Sequence, residues 1–236
     1  MPNNFFTFKQ FTIRQQKSVF RVGTDGVLLG ACANVEGVRT ILDIGTGTGL
    51  IALMLAQRSS AEIFAIEPDH DSFIQASENI TATPWRRQVR IFNCRLQDYF
   101  PHGLKFELIV SNPPYFIDSL VNPDNQSAAA RHNISLTQDD LLEGVVRLLD
   151  PAGRLEVIMP YQEGNILIVK ALNHRLYCNS VLKIKPVQSS EVKRLILSFS
   201  RQKSEVKEQS LIIEKDRRHH FTEEYKTLTR DFYLKF

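Results

Sequence analysis

From residue 40 to about residue 199 the chain alternates strand-like and helix-like segments, and that alternation leaves few folds open. It predicts a largely parallel α/β sheet with helices on both faces. Residues 40–43 read as a first buried strand, 62–67 as a second, 89–92 as a third, 106–110 as a fourth and 154–159 as a fifth. Helices are expected after the first strand, where Leu50, Ile51, Leu53, Met54 and Leu55 cluster, and then over 69–80, 137–149 and about 161–172. Thr137 suits an N-cap, and Asp150-Pro151-Ala152-Gly153 suits the stop of that helix. Residues 177–187 and 191–200 are two long β-rich runs joined by Gln188-Ser189-Ser190, which read as a terminal antiparallel hairpin. Upstream, residues 6–13 alternate as an edge strand or hairpin and 25–33 read as a short helix. Downstream, 201–209 read as a loop, 210–213 as a strand and 223–232 as a helix. The expected organisation is a single domain over 1–236, with an N-terminal extension (1–39), a core (40–200) and a C-terminal appendage (201–236).

Composition narrows the setting more than the chemistry. A hydrophobic fraction of 43% and a charged fraction of 23% are those of an ordinary globular protein. No apolar stretch reaches the ~18 residues that span a bilayer, so no membrane partner is expected. The first residues lack a basic flank and an uninterrupted apolar run, so a secretory signal is not expected either. Three cysteines, Cys32, Cys94 and Cys178, are far apart with no Cys-x-x-Cys pair, which fits a reducing cytoplasm. The six histidines, including His219-His220, lack ligand spacing, so no metal is expected. A net charge of +3 permits a nucleic-acid partner without demanding one.

Asp43-Ile44-Gly45-Thr46-Gly47-Thr48-Gly49 follows the first strand and opens a helix, the context a nucleotide-binding loop requires. Glycines let the backbone take positive φ and approach a ligand closely, although a tight turn alone would explain them. The acids make the pattern more specific. Asp43, at the loop entrance, would repel a pyrophosphate but can hydrogen-bond an ammonium or a water. Glu67 ends the second strand, where a carboxylate can accept two ribose hydroxyls; a helix-entry acid is the other reading. Asp98 follows the third strand, where it can accept from an adenine amino group or simply cap a loop. A loop with an acid at its entrance suits a cofactor that carries a cation and no phosphates, and S-adenosylmethionine is such a molecule.

At the end of the fourth strand stands Asn112-Pro113-Pro114-Tyr115. Two prolines fix two φ angles and remove two donors, and the first pushes Asn112 out of the helical region. The peptide therefore leaves the strand rigid and extended, with carbonyls free to accept. It can hold a planar amino group, with the Asn112 amide oxygen and the Pro113 carbonyl taking its two hydrogens. Tyr115, with Phe116 behind it, would stack on the ring, worth about 1–3 kcal/mol per base. A proline turn capped by an aromatic is the plainer alternative.

Together these residues resemble the S-adenosylmethionine-dependent methyltransferases with a seven-stranded, Rossmann-like sheet, mostly parallel and ending in an antiparallel hairpin. The resemblance implies that Gly45, Thr46, Gly47 and Gly49 line the methionine end with Asp43, that Glu67 meets the ribose and Asp98 the adenine, and that Asn112-Pro113-Pro114-Tyr115 grips the acceptor. Such a peptide serves adenine, guanine and cytosine amino groups, and the glutamine amide of peptide-chain release factors. The flanks are closer still to one group. Residues 20–31, Ala130-Arg131-His132, Lys185-Pro186-Val187 and Asp231-Phe232-Tyr233-Leu234-Lys235 resemble the bacterial tRNA1(Val) adenine-N6 methyltransferases. That resemblance implies methylation of N6 of adenosine 37 in the anticodon loop of a valine tRNA. Arg131, which follows a polar loop at 118–126, is expected on the RNA, and no obligate protein partner is evident. An anticodon-loop base is already partly unstacked, so extruding it costs little. Basic residues available to meet phosphates are Lys9, Arg14, Lys17, Arg21, Arg86, Arg87, Arg90, Lys183, Lys185, Lys193 and Arg194, although most of them individually read as ordinary solvated faces. The alternatives are methylation of a release-factor glutamine or of rRNA guanine N2, and a non-catalytic RNA-binding module. Release-factor enzymes carry a helical N-terminal domain, whereas the 39 residues before the first strand here look β-rich.

Overall fold

The computed structural model describes residues 3–18, 21–114 and 136–236. Its centre is an eight-stranded mixed sheet flanked by helices. In chain order the elements are β1 (Phe5–Thr7), β2 (Thr12–Arg14), α1 (Thr24–Cys32), β3 (Thr40–Ile44), α2 (Leu50–Arg58), β4 (Glu62–Ile66), α3 (His70–Thr81), β5 (Val89–Phe92) and β6 (Phe106–Ser111). They continue as α4 (Gln138–Leu148), β7 (Leu149–Pro160), α5 (Tyr161–Asn173), β8 (Tyr177–Val187), β9 (Arg194–Ser200), β10 (Lys207–Glu214) and α6 (Glu223–Thr229). The sheet order is β10-β8-β9-β7-β6-β3-β4-β5, and β1 and β2 form a separate antiparallel hairpin. Strands β3 to β7 are parallel to one another, β9 is antiparallel to β7 and β8, and β10 runs parallel to β8.

The central strands are buried on both faces, so their apolar residues alternate between two cores. Ile41, Leu108 and Val110 face the core built with α1, α2 and the β1–β2 hairpin. Leu42, Ile44 and Ile109 face the core built with α4 and α5. Helix α3 is capped by Asp69, whose carboxylate accepts from Ser72 N at 2.8 Å. Helix α4 opens with the expected Thr137 cap, here a full capping box with Asp140.

The strand expected at 210–213 adds to β8 in parallel register and extends the seven-stranded sheet to eight. Two expectations need correction. That strand begins at Lys207, inside the stretch read as a loop; its first four residues are exposed and polar and carry no apolar alternation. Strand β7 begins at Leu149, because residues 150–153 bulge out of the ladder instead of ending it: Leu149 pairs with Phe106 and Arg154 with Leu108.

Candidate active site

The sheet order reverses between β3 and β6, and both strands point their carboxyl ends the same way. Open α/β sheets bind ligands at such a switch point. The Asp43 loop leaves β3 there, and Asn112-Pro113-Pro114 leaves β6 beside it. Ser111 Oγ ties the two ends together by donating to the Ile44 carbonyl at 2.9 Å.

The loop is folded by its own glycines and by β4. Gly45 N and Thr46 N both donate to the Ile66 carbonyl, at 2.9 and 3.1 Å, which turns the chain over the sheet. Gly45 (φ 71°) and Gly49 (φ 82°) sit in the left-handed region, where a side chain is strained. A Cβ on Gly45 would meet nothing within 4 Å among the described residues, so that backbone faces open space. Asp43 is fully buried beneath the loop. Its Oδ2 accepts from Thr46 Oγ1 at 2.6 Å and from Ala52 N at 3.2 Å. Its Oδ1 is buried and has no hydrogen-bond donor among the described residues. Burial pushes the Asp43 carboxyl up to about 6, against the pull of the Thr46 and Ala52 donors.

Glu67 stands just past β4 and is 3% exposed. Its Oε2 accepts from Gly47 N at 2.8 Å and its Oε1 from Asp69 N at 3.0 Å. One carboxylate thus shapes the glycine loop and serves the entry to α3, so the helix-entry reading holds. A carboxylate has about four acceptor positions, and two remain for a ligand. Burial pushes Glu67 up to about 7; its two backbone donors pull the other way, and Asp69 and Asp43 add to the rise. Asp98 is exposed, at the end of a 3₁₀ turn (Leu96–Asp98) after β5. Its charge raises the pKa of the nearby Cys94 thiol, after the effect of burial.

Asn112 is half-buried, Pro113 buried and Pro114 exposed. Helix α1 crosses close by: a Cβ on Gly26 would lie 3.9 Å from Asn112 Nδ2 and 3.0 Å from Leu50 Cδ2. Gly23 is the N-cap of α1, which has no side-chain cap bond. Asp25, in the first turn, accepts from Arg194 Nε at 2.7 Å, which joins α1 to the start of β9. Tyr115, Phe116 and Arg131 lie outside the described residues.

A row of buried polar side chains on α3 escaped the sequence reading. Asn79 Oδ1 accepts from Arg14 N, and its Nδ2 donates to the carbonyls of Arg14 and Thr48, all at 2.9 Å. Gln75 Oε1 accepts from the backbone of Gln16 (2.9 Å) and Lys17 (3.1 Å). Ser72 Oγ meets Ser18 Oγ at 2.9 Å. The chain after β2 is thereby fastened to the helix that borders the glycine loop. The only signal was spacing: residues 72, 75 and 79 share one helix face.

Several of the cations available to meet phosphate are held by the protein itself. Lys9 Nζ donates to the Phe236 carbonyl at 2.6 Å. Lys17 pairs with Glu78, and Lys183 pairs with Glu208 at 2.6 Å. Arg90 lies 3.7 Å from Glu62 and sits over the Phe64 ring.

The residues present fit S-adenosylmethionine: an orphaned buried carboxylate oxygen at the loop entrance, an open backbone at Gly45, and a buried Glu67 with acceptor positions to spare. Comparison with known proteins agrees. The family described as Methyltransferase small domain matches residues 11–172. A tRNA1(Val) (adenine(37)-N6)-methyltransferase of Bacteroides fragilis is 46% identical over 100% of both chains. A protein of the same name from Trichodesmium erythraeum is 44% identical, also over 100% of both. Among solved structures, a predicted O-methyltransferase from Agrobacterium tumefaciens superposes with a TM-score of 0.69, covering 88% of this chain and 96% of its own at 17% identity. That likeness concerns the fold alone.

Proposed function

The chain belongs to the Methyltransferase small domain family and, within it, to the tRNA1(Val) (adenine(37)-N6)-methyltransferases, and from that premise we infer its reaction. It transfers a methyl group from S-adenosylmethionine to N6 of adenosine 37 in the anticodon loop of a valine tRNA. The observation that carries this reading is the end-to-end match, which includes the flanks as well as the cofactor half.

When bound, S-adenosylmethionine supplies a methyl group on a sulfonium, activated for displacement by a neutral leaving group. The chain's residues hold and orient. In our assignment Asp43 and the backbone of Gly45, Thr46, Gly47 and Gly49 hold the methionine end, Glu67 the ribose and Asp98 the adenine. The N6 lone pair of adenine is delocalised into its ring and is a poor nucleophile. Asn112 Oδ1 and the Pro113 carbonyl accept the two N6 hydrogens, which favours a pyramidal nitrogen with a localised pair. The rigid Pro113-Pro114 backbone keeps those acceptors from turning away, and Tyr115 and Phe116 stack on the base. Such a site works by positioning and electrostatics, without a strong base. We read residues 1–236 as one catalytic unit and place it in the cytoplasm. The three cysteines are free thiols, and among the described residues no helix is long and apolar enough to cross a membrane.

The test is radiolabelled methyl transfer to bulk tRNA from cells lacking this activity, followed by nucleoside analysis. N6-methyladenosine at position 37 of a valine tRNA is the expected product. Label in a release factor, or in no RNA at all, would overturn the assignment.

A further inference from the structure

Strand β10 runs parallel to β8 and, through β9, to β7 and β6, so its carboxyl end lies at the same end of the sheet as Asn112. The turn that follows, residues 215–220, contains Lys215, Arg217 and Arg218. All three are exposed. The turn's own acids are already engaged. Asp216 accepts from Arg217 N and pairs with His220, and Glu214 Oε1 accepts from His219 N at 2.6 Å. Glu223 lies 3.0 Å from Lys226 and 3.5 Å from Lys215. Arg217 and Arg218 have no ion-pair partner among the described residues, and neither does Lys185, on the adjacent end of β8. His219 holds the turn in a left-handed conformation (φ 67°), which a non-glycine residue keeps only where its surroundings impose it. Behind the turn opens a cleft of 680 Å³, whose lining includes Phe221, Lys226, Arg230 and Lys235.

We propose that the turn at 215–220, with Lys185 beside it, binds the phosphate backbone of the substrate tRNA outside the anticodon loop. The proposal rests on the reading that the substrate is a tRNA, and it adds where that tRNA is held. β10 is four strands from β6, a separation of roughly 19 Å at the usual strand spacing. A stem that runs from a base seated at Asn112 across the outer half of the sheet, on the side away from the cofactor loop, would meet this turn. Guanidinium forks match phosphate oxygens two at a time. Double-stranded RNA is met chiefly through its shape and backbone, which exposed arginines on a fixed turn can do.

Binding of unmodified valine tRNA by the full chain and by the variant Arg217→Gln/Arg218→Gln, measured across a salt series, tests the proposal. The variant should bind about tenfold more weakly, and its log affinity should fall less steeply with log salt, by roughly one to two in slope. Its affinity for S-adenosylmethionine and its kcat at saturating tRNA should match the parent's, and Arg217→Lys/Arg218→Lys should recover part of the loss. Equal tRNA affinity and equal salt slope in parent and variant would overturn the surface while leaving the activity in place. A parent that neither binds nor methylates tRNA would overturn the functional reading, and this surface with it.

Discussion

If Glu67 and Asp43 hold the cofactor as assigned, their protonation is coupled to its binding. Glu67 is held at about 7 and Asp43 at about 6, chiefly because burial penalises their charged forms. For folding the sign is fixed. A raised carboxyl contributes stability that is complete below its unfolded value, 4.5 for Glu67 and 3.8 for Asp43. That contribution is lost as pH rises through 7 and 6 respectively. Binding acts the other way, since a cation and ribose hydroxyls favour ionised acids. S-adenosylmethionine should therefore bind more tightly at pH 8 than at pH 5.5 and release protons below pH 7. Calorimetry at pH 6.5 in two buffers of different ionisation enthalpy measures this, and a buffer-independent heat would refute it. Asn79 makes a separate claim. Asn79→Ala strands the Arg14 amide and two carbonyls, a loss of about 1–3 kcal/mol for each group left unsatisfied. Thermal unfolding should register that loss, and the Thr48 carbonyl, freed from its tether, should loosen the cofactor loop. An unchanged Kd for S-adenosylmethionine would show that the loop stands without Asn79.

At the scale of elements, the bulge before Arg154 sets how β6 and β7 meet. A Cβ on Gly153 would lie 2.7 Å from the Phe106 carbonyl oxygen and 3.0 Å from that of Glu107, both backbone atoms that cannot swing aside. Gly153→Ala should cost about 1–3 kcal/mol, a fall of several degrees in Tm at roughly 2–4 °C per kcal/mol. A Tm within one degree of the parent's would mean the bulge adjusts freely. The same bulge shows where the sequence was readable. Strands β3, β4, β5 and β6 were legible because each is a short run of apolar residues ended by loop residues. Thr137 was legible as a cap because a cap is a local hydrogen bond, whereas Asp69, read as the first residue of its helix, is the N-cap. Asp150-Pro151-Ala152-Gly153 has the composition of a turn, and only pairing with β6 makes it part of a strand. Within the site, Asp43 and the glycines stood out by spacing. The two bonds that Glu67 makes to Gly47 N and Asp69 N depend on how a loop closes in three dimensions. Ser72, Gln75 and Asn79 are polar residues on a helix, and nothing local distinguishes a face that clamps another chain segment from one that meets water.

Across the whole molecule the two ends of the chain pack together. Phe8 is 2% exposed; its ring lies 4.8 Å from that of Phe11 and 5.9 Å from that of Tyr233, and Lys9 N donates to the Phe232 carbonyl at 2.8 Å. Phe8, Ile13, Tyr225 and Phe232 share a core with Ile41 and Val110 of the central strands. If 1–236 is one unit, Phe8→Ala should cost about 3–5 kcal/mol and lower a single cooperative transition. A separate early transition in calorimetry, with the main one unmoved, would show the ends to be an independent module. The last strand carries a consequence of its own. The start of β10 is bonded to β8 on one side, and its residues Lys207, Glu208, Gln209 and Ser210 are exposed. An unprotected sheet margin is a template for self-assembly, and charged side chains on it are a common safeguard. The polarity that disguised this strand in the sequence therefore serves the solubility of the fold. Glu208→Val/Ser210→Val should convert the margin into an adhesive one, seen as concentration-dependent growth in light scattering, whereas a variant that stays as dispersed as the parent would place the safeguard elsewhere.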